Sequence, residues 1–191
     1  MEHEAGRVVV LVEGRSDAVV VEALAAARGL DTTDGVVRVV AMGGVTNIRS
    51  HLLHQADQAD VHVLGLCDAP EERYFVHALQ ETGRPVTSRA EMAALGFFVC
   101  VQDLEDELLR ALGPEAVEDA LAELGHLGRF RTFQRQPEWR DRELPDQLHR
   151  FAGSGSGRKL ALAARLAREL TPRTTPQPLA ALVDRMVSAV H

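Results

Sequence analysis

The residues most capable of chemistry in this sequence are acids that follow short apolar runs. Glu13 and Asp17 follow the first run, Asp68 follows the third, and the acidic stretch DLEDE begins at Asp103. Carboxylates that lie close together repel each other unless a cation neutralises them, and Mg²⁺ prefers hard oxygen ligands of this kind. If the fold brings these acids together, they predict a site for divalent metal ions.

The apolar runs themselves predict four strands. Each run is short and rich in β-branched residues, which is typical of strands that are buried on both faces. The predicted strands are Arg7–Val12, Val36–Ala41, Val61–Leu66 and Phe97–Val101. Helical stretches separate them, and we expect Ser16 to cap the first helix. This alternation predicts an α/β, Rossmann-like three-layer fold with a mostly parallel four-stranded sheet.

The second half of the chain shows a different pattern. From residue 113 onward the sequence is helical, so we expect an α/β domain over 1–112 and a helical extension over 113–191 that packs on it. Within the extension, Phe130–Arg140 interleaves arginines with aromatic residues. Inward packing of the aromatic rings is the favoured interpretation, and stacking on nucleic-acid bases is the alternative.

An open parallel sheet brings the residues that follow its strands to one edge. Three of the predicted strands deliver acids to that edge, and the second strand delivers a glycine pair, Gly43-Gly44. The candidate metal ligands are Glu13, Asp17, Asp68, Asp103, Glu105 and Asp106. Two metals about 4 Å apart stabilise the attacking and leaving oxygens of a phosphoryl displacement, so phosphoryl chemistry is the expectation. The alternative for a single acid is a helix cap or a partner of the helix dipole.

The overall composition narrows the class of protein. Hydrophobic residues make up 46% and charged residues 26% of the chain, as in soluble globular proteins. The formal net charge of -7 argues against a broad nucleic-acid-binding face, although bound cations reverse the local charge of a carboxylate site. Cys67 and Cys100 are expected to be buried and reduced. With no signal peptide and no membrane-spanning run, a cytoplasmic location is expected.

Three segments resemble the motifs of TOPRIM domains, in the same order and with similar spacing. Val8–Leu24 resembles the first motif, in which a strand is followed by Glu-Gly-x-x-Asp. Val39–Leu52 resembles the second motif, with its Gly-Gly turn, and Val61–Glu72 resembles the third, where the family usually shows Asp-x-Asp. The closer likeness is to the TOPRIM domains of OLD-family (overcoming lysogenization defect) ATP-dependent endonucleases. Asp103–Leu112 and Gly153–Lys159 are similar to two later segments of those proteins.

The resemblance implies a metal-dependent endonuclease or nickase that uses two Mg²⁺ or Mn²⁺ ions and acts on DNA rather than RNA. The catalytic residues that it implies are Glu13, Asp17, Asp68, Glu105 and Lys159. Gly14, Gly43 and Gly44 would shape the loops beside the ions, with Gly14 allowing a tight turn. One ion would be held by the acids after the first and third strands, and the other by the DLEDE segment. Lys159 would stabilise charge on the phosphate, whereas the alternative is an exposed lysine at a helix start.

Two departures from the family pattern keep other functions open. The third motif reads Asp68-Ala69-Pro70, so the second Asp is missing and Glu71 or Glu72 is left to replace it. GSGSGRKL is not a P-loop, which needs GxxxxGK followed by Ser or Thr, so we expect a free-standing domain or a separate ATPase partner. A degenerate, non-catalytic TOPRIM module that binds nucleic acid or an ATPase is the main alternative.

Other hypotheses receive less support from the sequence. A Rossmann-like nucleotide-binding protein is disfavoured, because no GxGxxG follows the first strand. A homodimer through an Ala/Leu-rich helix stays open. The eight histidines show no HxxxH or HExxH spacing, and we expect His51 and His54, which lie on one helix, to be surface or structural residues.

Overall fold

One parallel sheet forms the centre of the molecule. The computed structural model describes residues 7–56, 58 and 61–190, so the polar N-terminus, 1–6, lies outside the described residues. The strands are β1 (Arg7–Val12), β2 (Val37–Ala41), β3 (Val61–Cys67) and β4 (Phe97–Val99). They are all parallel and lie in the order β2-β1-β3-β4, which confirms the predicted fold class.

Helices connect and follow the strands. They are α1 (Arg15–Ala27), α2 (Ile48–Ala56), α3 (Glu72–Glu81), α4 (Arg89–Ala94), α5 (Leu104–Glu123), α6 (Leu127–Gln134), α7 (Leu144–Ala152), α8 (Ser156–Ala167) and α9 (Gln177–Val190). A kink interrupts α5 at Gly113, where φ is 85°, and Pro114 follows. Gly113 is not helical, so the Gly-Pro pair ends one helical segment and begins the next, in agreement with the stop and new start that this pair predicts. No helix in the described part of the chain is long and apolar enough to cross a membrane.

Alternating side chains of β1 divide the interior into two apolar layers. Val8, Val10 and Val12 face a layer shared with α1 and the helices from α5 to α9. Val9 and Leu11 face the opposite layer, beneath α2, α3 and α4. Burying one such side chain contributes about 1.5–3 kcal/mol, so the central strand is tightly held from both sides.

The C-terminal helices cover one face of the sheet. Helix α8 packs along α1, while α9 lies against β1, β3 and β4. Phe130 is buried, its ring stacks with Phe133, and it lies at a tilt to Phe151. The ring centroids of Trp139 and Phe133 are 5.0 Å apart. The aromatic residues thus pack inward, as expected. The division of the chain at residue 112 stays a proposal.

The start of α1 differs from the prediction. Gly14, not Ser16, is the N-cap, and its N–H donates a 2.7 Å hydrogen bond to Asp17 Oδ2. Gly14 has an extended backbone, with φ of -135°. The tight turn that was expected at this glycine is therefore not formed. The Asp17 carboxylate accepts a hydrogen bond from an amide at the start of the helix that would otherwise lack a helical partner. The helix therefore begins without a Ser16 cap.

Strand β4 ends two residues earlier than predicted. Val101 is 61% exposed, and its N–H donates to Glu107 Oε1 at 2.7 Å instead of to the sheet. Glu107 is buried and also pairs with Arg110. The chain therefore leaves the sheet after Val99 and turns directly into the acidic start of α5.

Candidate metal centre

Three carboxylates meet at the carboxyl edge of the sheet. Glu13 follows β1, Asp68 follows the neighbouring strand β3, and Glu71 lies in the 3₁₀ turn after it. Each offers one oxygen atom, and these three atoms lie within 4.8 Å of one another. Because β1 and β3 are adjacent and parallel, their following residues emerge side by side. These oxygen atoms could hold a divalent cation, since such ions prefer carboxylate ligands.

Glu71, and not Glu72, joins Glu13 and Asp68. The turn Ala69–Glu71 contains Pro70 and directs Glu71 back toward the strand ends. Glu72 instead accepts hydrogen bonds from Arg89, the shortest of them 2.7 Å from Nη2 to Oε2. The sequence left both acids open because it shows no difference between them. The 3₁₀ turn is what places Glu71 in the cluster and leaves Glu72 outside it.

Asp17 adds a fourth, more deeply buried acid to the cluster. Burial raises its pKa, and the N–H of Gly14 and the Lys159 ammonium partly offset this effect. Its charge also raises the pKa values of Asp68 and Glu13. The separate acids predicted from the sequence are therefore close enough to interact electrostatically.

Asp68 shows the strongest effect of this crowding. Burial, followed by the charges of Asp17, Asp103 and Glu105, raises its pKa to about 8. Burial also raises the pKa of Glu13, and the neighbouring Glu71 carboxylate adds to it. A cation at this position would offset both burial and repulsion, because it favours the ionised form of each carboxyl.

Glu105 and Lys159 form an ion pair at the same edge. Lys159 Nζ lies 3.0 Å from Glu105 Oε2, and the Glu105 side chain is only 8% exposed. The other oxygen, Oε1, is buried without a hydrogen-bond partner among the described residues. Burial raises the pKa of Glu105 in spite of the lysine. Lys159 therefore reaches the site from α8, and it is not an exposed lysine at a helix start.

Asp103 caps α5 and is held from two directions. Its Oδ1 accepts the N–H of Asp106 at 2.8 Å, and His149 Nε2 lies 2.8 Å from Oδ1 and 2.7 Å from Oδ2. Burial raises the pKa of Asp103, but the hydrogen bonds from His149 and Asp106 outweigh it and the net shift is downward. The bond to Asp103 raises the pKa of His149 against the effect of burial. No spacing pattern signals this contact, since 46 residues separate the partners.

Asp106 does not take the expected place among the ligands. Its Oδ2 accepts a 2.7 Å hydrogen bond from Arg110 Nε, one helical turn further along α5. Residues four apart on a helix point in directions about 40° apart, whereas consecutive residues point about 100° apart. Asp106 therefore faces Arg110 while its neighbour Glu105 faces Lys159.

The glycine pair after β2 holds the backbone of Glu13. Gly43 and Gly44 have φ values of 73° and 129°, which side chains rarely tolerate. Their N–H groups donate to the Glu13 carbonyl oxygen at 3.1 and 3.3 Å. The pair thus shapes the loop beside the cluster, and it fixes the main chain from which the Glu13 side chain projects.

Stability without divalent ions is expected to fall as the pH rises from about 4 to about 8. The folded-state pKa of Asp68, about 8, lies above that of an unfolded aspartate, so folding favours the protonated group and its ionisation destabilises the fold. Asp68→Asn removes this penalty and is expected to stabilise the ion-free protein by about 1–3 kcal/mol at pH 8.5, after allowance for solvent and coupling. Thermal melts in a chelator at pH 4 and pH 8.5 measure it.

The matched control for this prediction is Asp141→Asn, an exposed aspartate paired with Arg140. It is expected to change the melting temperature little at either pH. If Asp68→Asn is no more stable than wild type at pH 8.5, the raised pKa of Asp68 is wrong.

The fold and the edge cluster define a TOPRIM-type domain: a parallel sheet with acids after β1 and β3 and a Gly-Gly turn after β2. Residues 6–69 match the family described as "Overcoming lysogenization defect protein-like, TOPRIM domain". This match confirms, over these residues, the resemblance seen in the sequence. No curated protein matches the chain in sequence.

Solved structures of two OLD proteins share the fold over nearly the whole chain. The C-terminal region of the Burkholderia pseudomallei OLD protein is 18% identical with a TM-score of 0.68, and the alignment covers 97% of this chain and 99% of that one. The C-terminal region of the Xanthomonas campestris pv. campestris OLD protein is 20% identical with a TM-score of 0.70, covering 97% and 96%. The likeness therefore includes the helices that follow β4.

Proposed function

We propose that this protein is a metal-dependent endonuclease or nickase that hydrolyses nucleic-acid phosphodiesters. The observation that carries the proposal is the meeting of Glu13, Asp68 and Glu71, with ligand atoms within 4.8 Å of one another. The OLD-like TOPRIM match over residues 6–69 supports the reaction class.

The donor groups fit divalent metal ions such as Mg²⁺ or Mn²⁺. They are carboxylate oxygens, which these hard cations prefer, and their mutual repulsion is relieved by positive charge. One ion would be held by Glu13, Asp68 and Glu71, with Asp17 beside them. A second would be held by Asp103 and Glu105, whose Oε1 has no hydrogen-bond partner in the described part of the chain.

The side chains around the ions have separate tasks in this proposal. When bound, two ions supply positive charge at the attacking and leaving oxygens of a phosphoryl displacement. Lys159 holds a proton on Nζ next to Glu105 and presents a positive charge to the phosphate. The glycine turn leaves space beside Glu13 because neither Gly43 nor Gly44 carries a side chain.

A plasmid-nicking assay tests the proposal. Supercoiled DNA is incubated with the purified protein and Mg²⁺ or Mn²⁺, and conversion to the open-circular form is followed with and without a chelator. Nicking that requires the divalent ion is expected. We also propose DNA in preference to RNA as the substrate, and RNA substrates assayed in parallel test this preference. A separate ATPase subunit and a homodimer belong to the same proposal.

A second candidate function is a TOPRIM module that binds nucleic acid or a partner ATPase without cutting. Pro70 favours it, because this residue stands where the family usually shows a second Asp. Binding of labelled DNA with no metal-dependent nicking, in a preparation that binds Mn²⁺, would support this candidate over the nuclease.

A further inference from the structure

The contacts of Asp103 leave acceptor capacity on Oδ2. An ionised carboxylate offers about four lone-pair sites. The N–H of Asp106 takes one of them on Oδ1. Because an ionised carboxylate only accepts hydrogen bonds, Nε2 of His149 is the donor to it. Its one N–H is shared between Oδ1, at 2.8 Å, and Oδ2, at 2.7 Å. Among the described residues, Oδ2 accepts no other hydrogen bond.

We propose that His149 is a positioning residue, which fixes the carboxylate plane of Asp103 so that Oδ2 is presented to a divalent ion beside Glu105. The inference rests on the proposed function, since Asp103 needs such an orientation only if the cluster binds a cation. Partners that orient a ligand in this way typically change metal affinity by about 10- to 100-fold.

Other residues of helix α7 hold it against the rest of the molecule, so the packing of this helix does not depend on His149. Leu148 and Phe151 are buried in the apolar layer beneath α7. Gln147 donates to the carbonyl oxygens of Trp139 and Arg142 at 2.7 and 2.9 Å, and it accepts from Gln134. The histidine side chain itself remains 26% exposed. Substitution of His149 is therefore expected to remove the contact with Asp103 and to change the packing of α7 little.

Two substitutions separate positioning from packing. His149→Gln keeps an N–H donor at a similar reach, whereas His149→Met has a similar size and no donor. Binding of Mn²⁺ to the whole 191-residue chain is measured by calorimetry or electron paramagnetic resonance, beside a thermal melt. We expect His149→Met to weaken the affinity for one ion about 10- to 100-fold and His149→Gln to stay within about threefold of wild type.

Each outcome of this experiment is decisive. Equal Mn²⁺ affinity in wild type and His149→Met overturns the inference while leaving the proposed function intact. Equally weak binding by folded His149→Gln and His149→Met also overturns it, because a donor at this position would then have no effect. Wild type that neither binds Mn²⁺ nor nicks DNA would refute the proposed function itself, and the inference with it.

Discussion

Glu71→Gln is expected to lower the rate of metal-dependent nicking by at least about 100-fold, because it removes a ligand atom from the Glu13–Asp68 cluster. The neutral amide keeps the size of the side chain and loses its negative charge. Initial rates on supercoiled DNA at several Mg²⁺ concentrations measure the change. Part of the loss should be recovered at high Mg²⁺, since a weakened site is filled by mass action.

Glu72→Gln is the matched control for this substitution. It changes the adjacent residue in the same way, but Glu72 pairs with Arg89 and lies outside the cluster. We expect its nicking rate to stay within about twofold of wild type, because exposed ion pairs contribute little. Equal losses in the two variants would show that the 3₁₀ turn does not select Glu71 as a ligand.

Lys159→Met is expected to reduce the nicking rate by about 100- to 1000-fold, the effect typical of removing one group that stabilises transition-state charge. Methionine retains most of the aliphatic length of lysine without its charge. The loss should appear in kcat, while Mn²⁺ affinity stays equal or rises, because Glu105 is freed from its 3.0 Å ion pair. Single-turnover rates and Mn²⁺ titrations distinguish the two quantities.

Arg165→Gln serves as the control on the same helix. Arg165 pairs with Glu123 and Glu169, away from the carboxylate cluster, so its loss should leave nicking near the wild-type rate. If Lys159→Met retains more than about a third of the wild-type kcat, the catalytic role of the lysine is refuted.

The sheet could be predicted from the sequence because its signals are local. Runs such as RVVVLV at β1 show buried strands directly, and their boundaries agree with the structure to within one residue for β1, β2 and β3. Strand β4 was predicted too long because its end depends on Glu107, a side chain six residues away. Local apolar character does not report such a contact.

The acidic site was predictable in part, for a related reason. Glu13 and Asp68 follow neighbouring parallel strands, and this arrangement alone brings them together. The contact of His149 with Asp103 depends on helix packing across 46 residues, and neither residue type nor spacing reports it. Asp106 pairs with Arg110 four residues further along the same helix, a spacing from which this contact could have been predicted. The resemblance to a family supplied Lys159, which composition and periodicity would have left among ordinary surface lysines.

The strand order places acidic residues on one side of Glu13 and uncharged glycines on the other. On one flank, β3 and β4 bring Asp68 and then Asp103, while on the other β2 brings only Gly43 and Gly44. The acids on the β3 and β4 side repel a polyanion, whereas the two glycines bring no side-chain charge of their own. In the proposed nuclease, we therefore expect a nucleic-acid strand to reach the centre of the sheet edge over the glycine side.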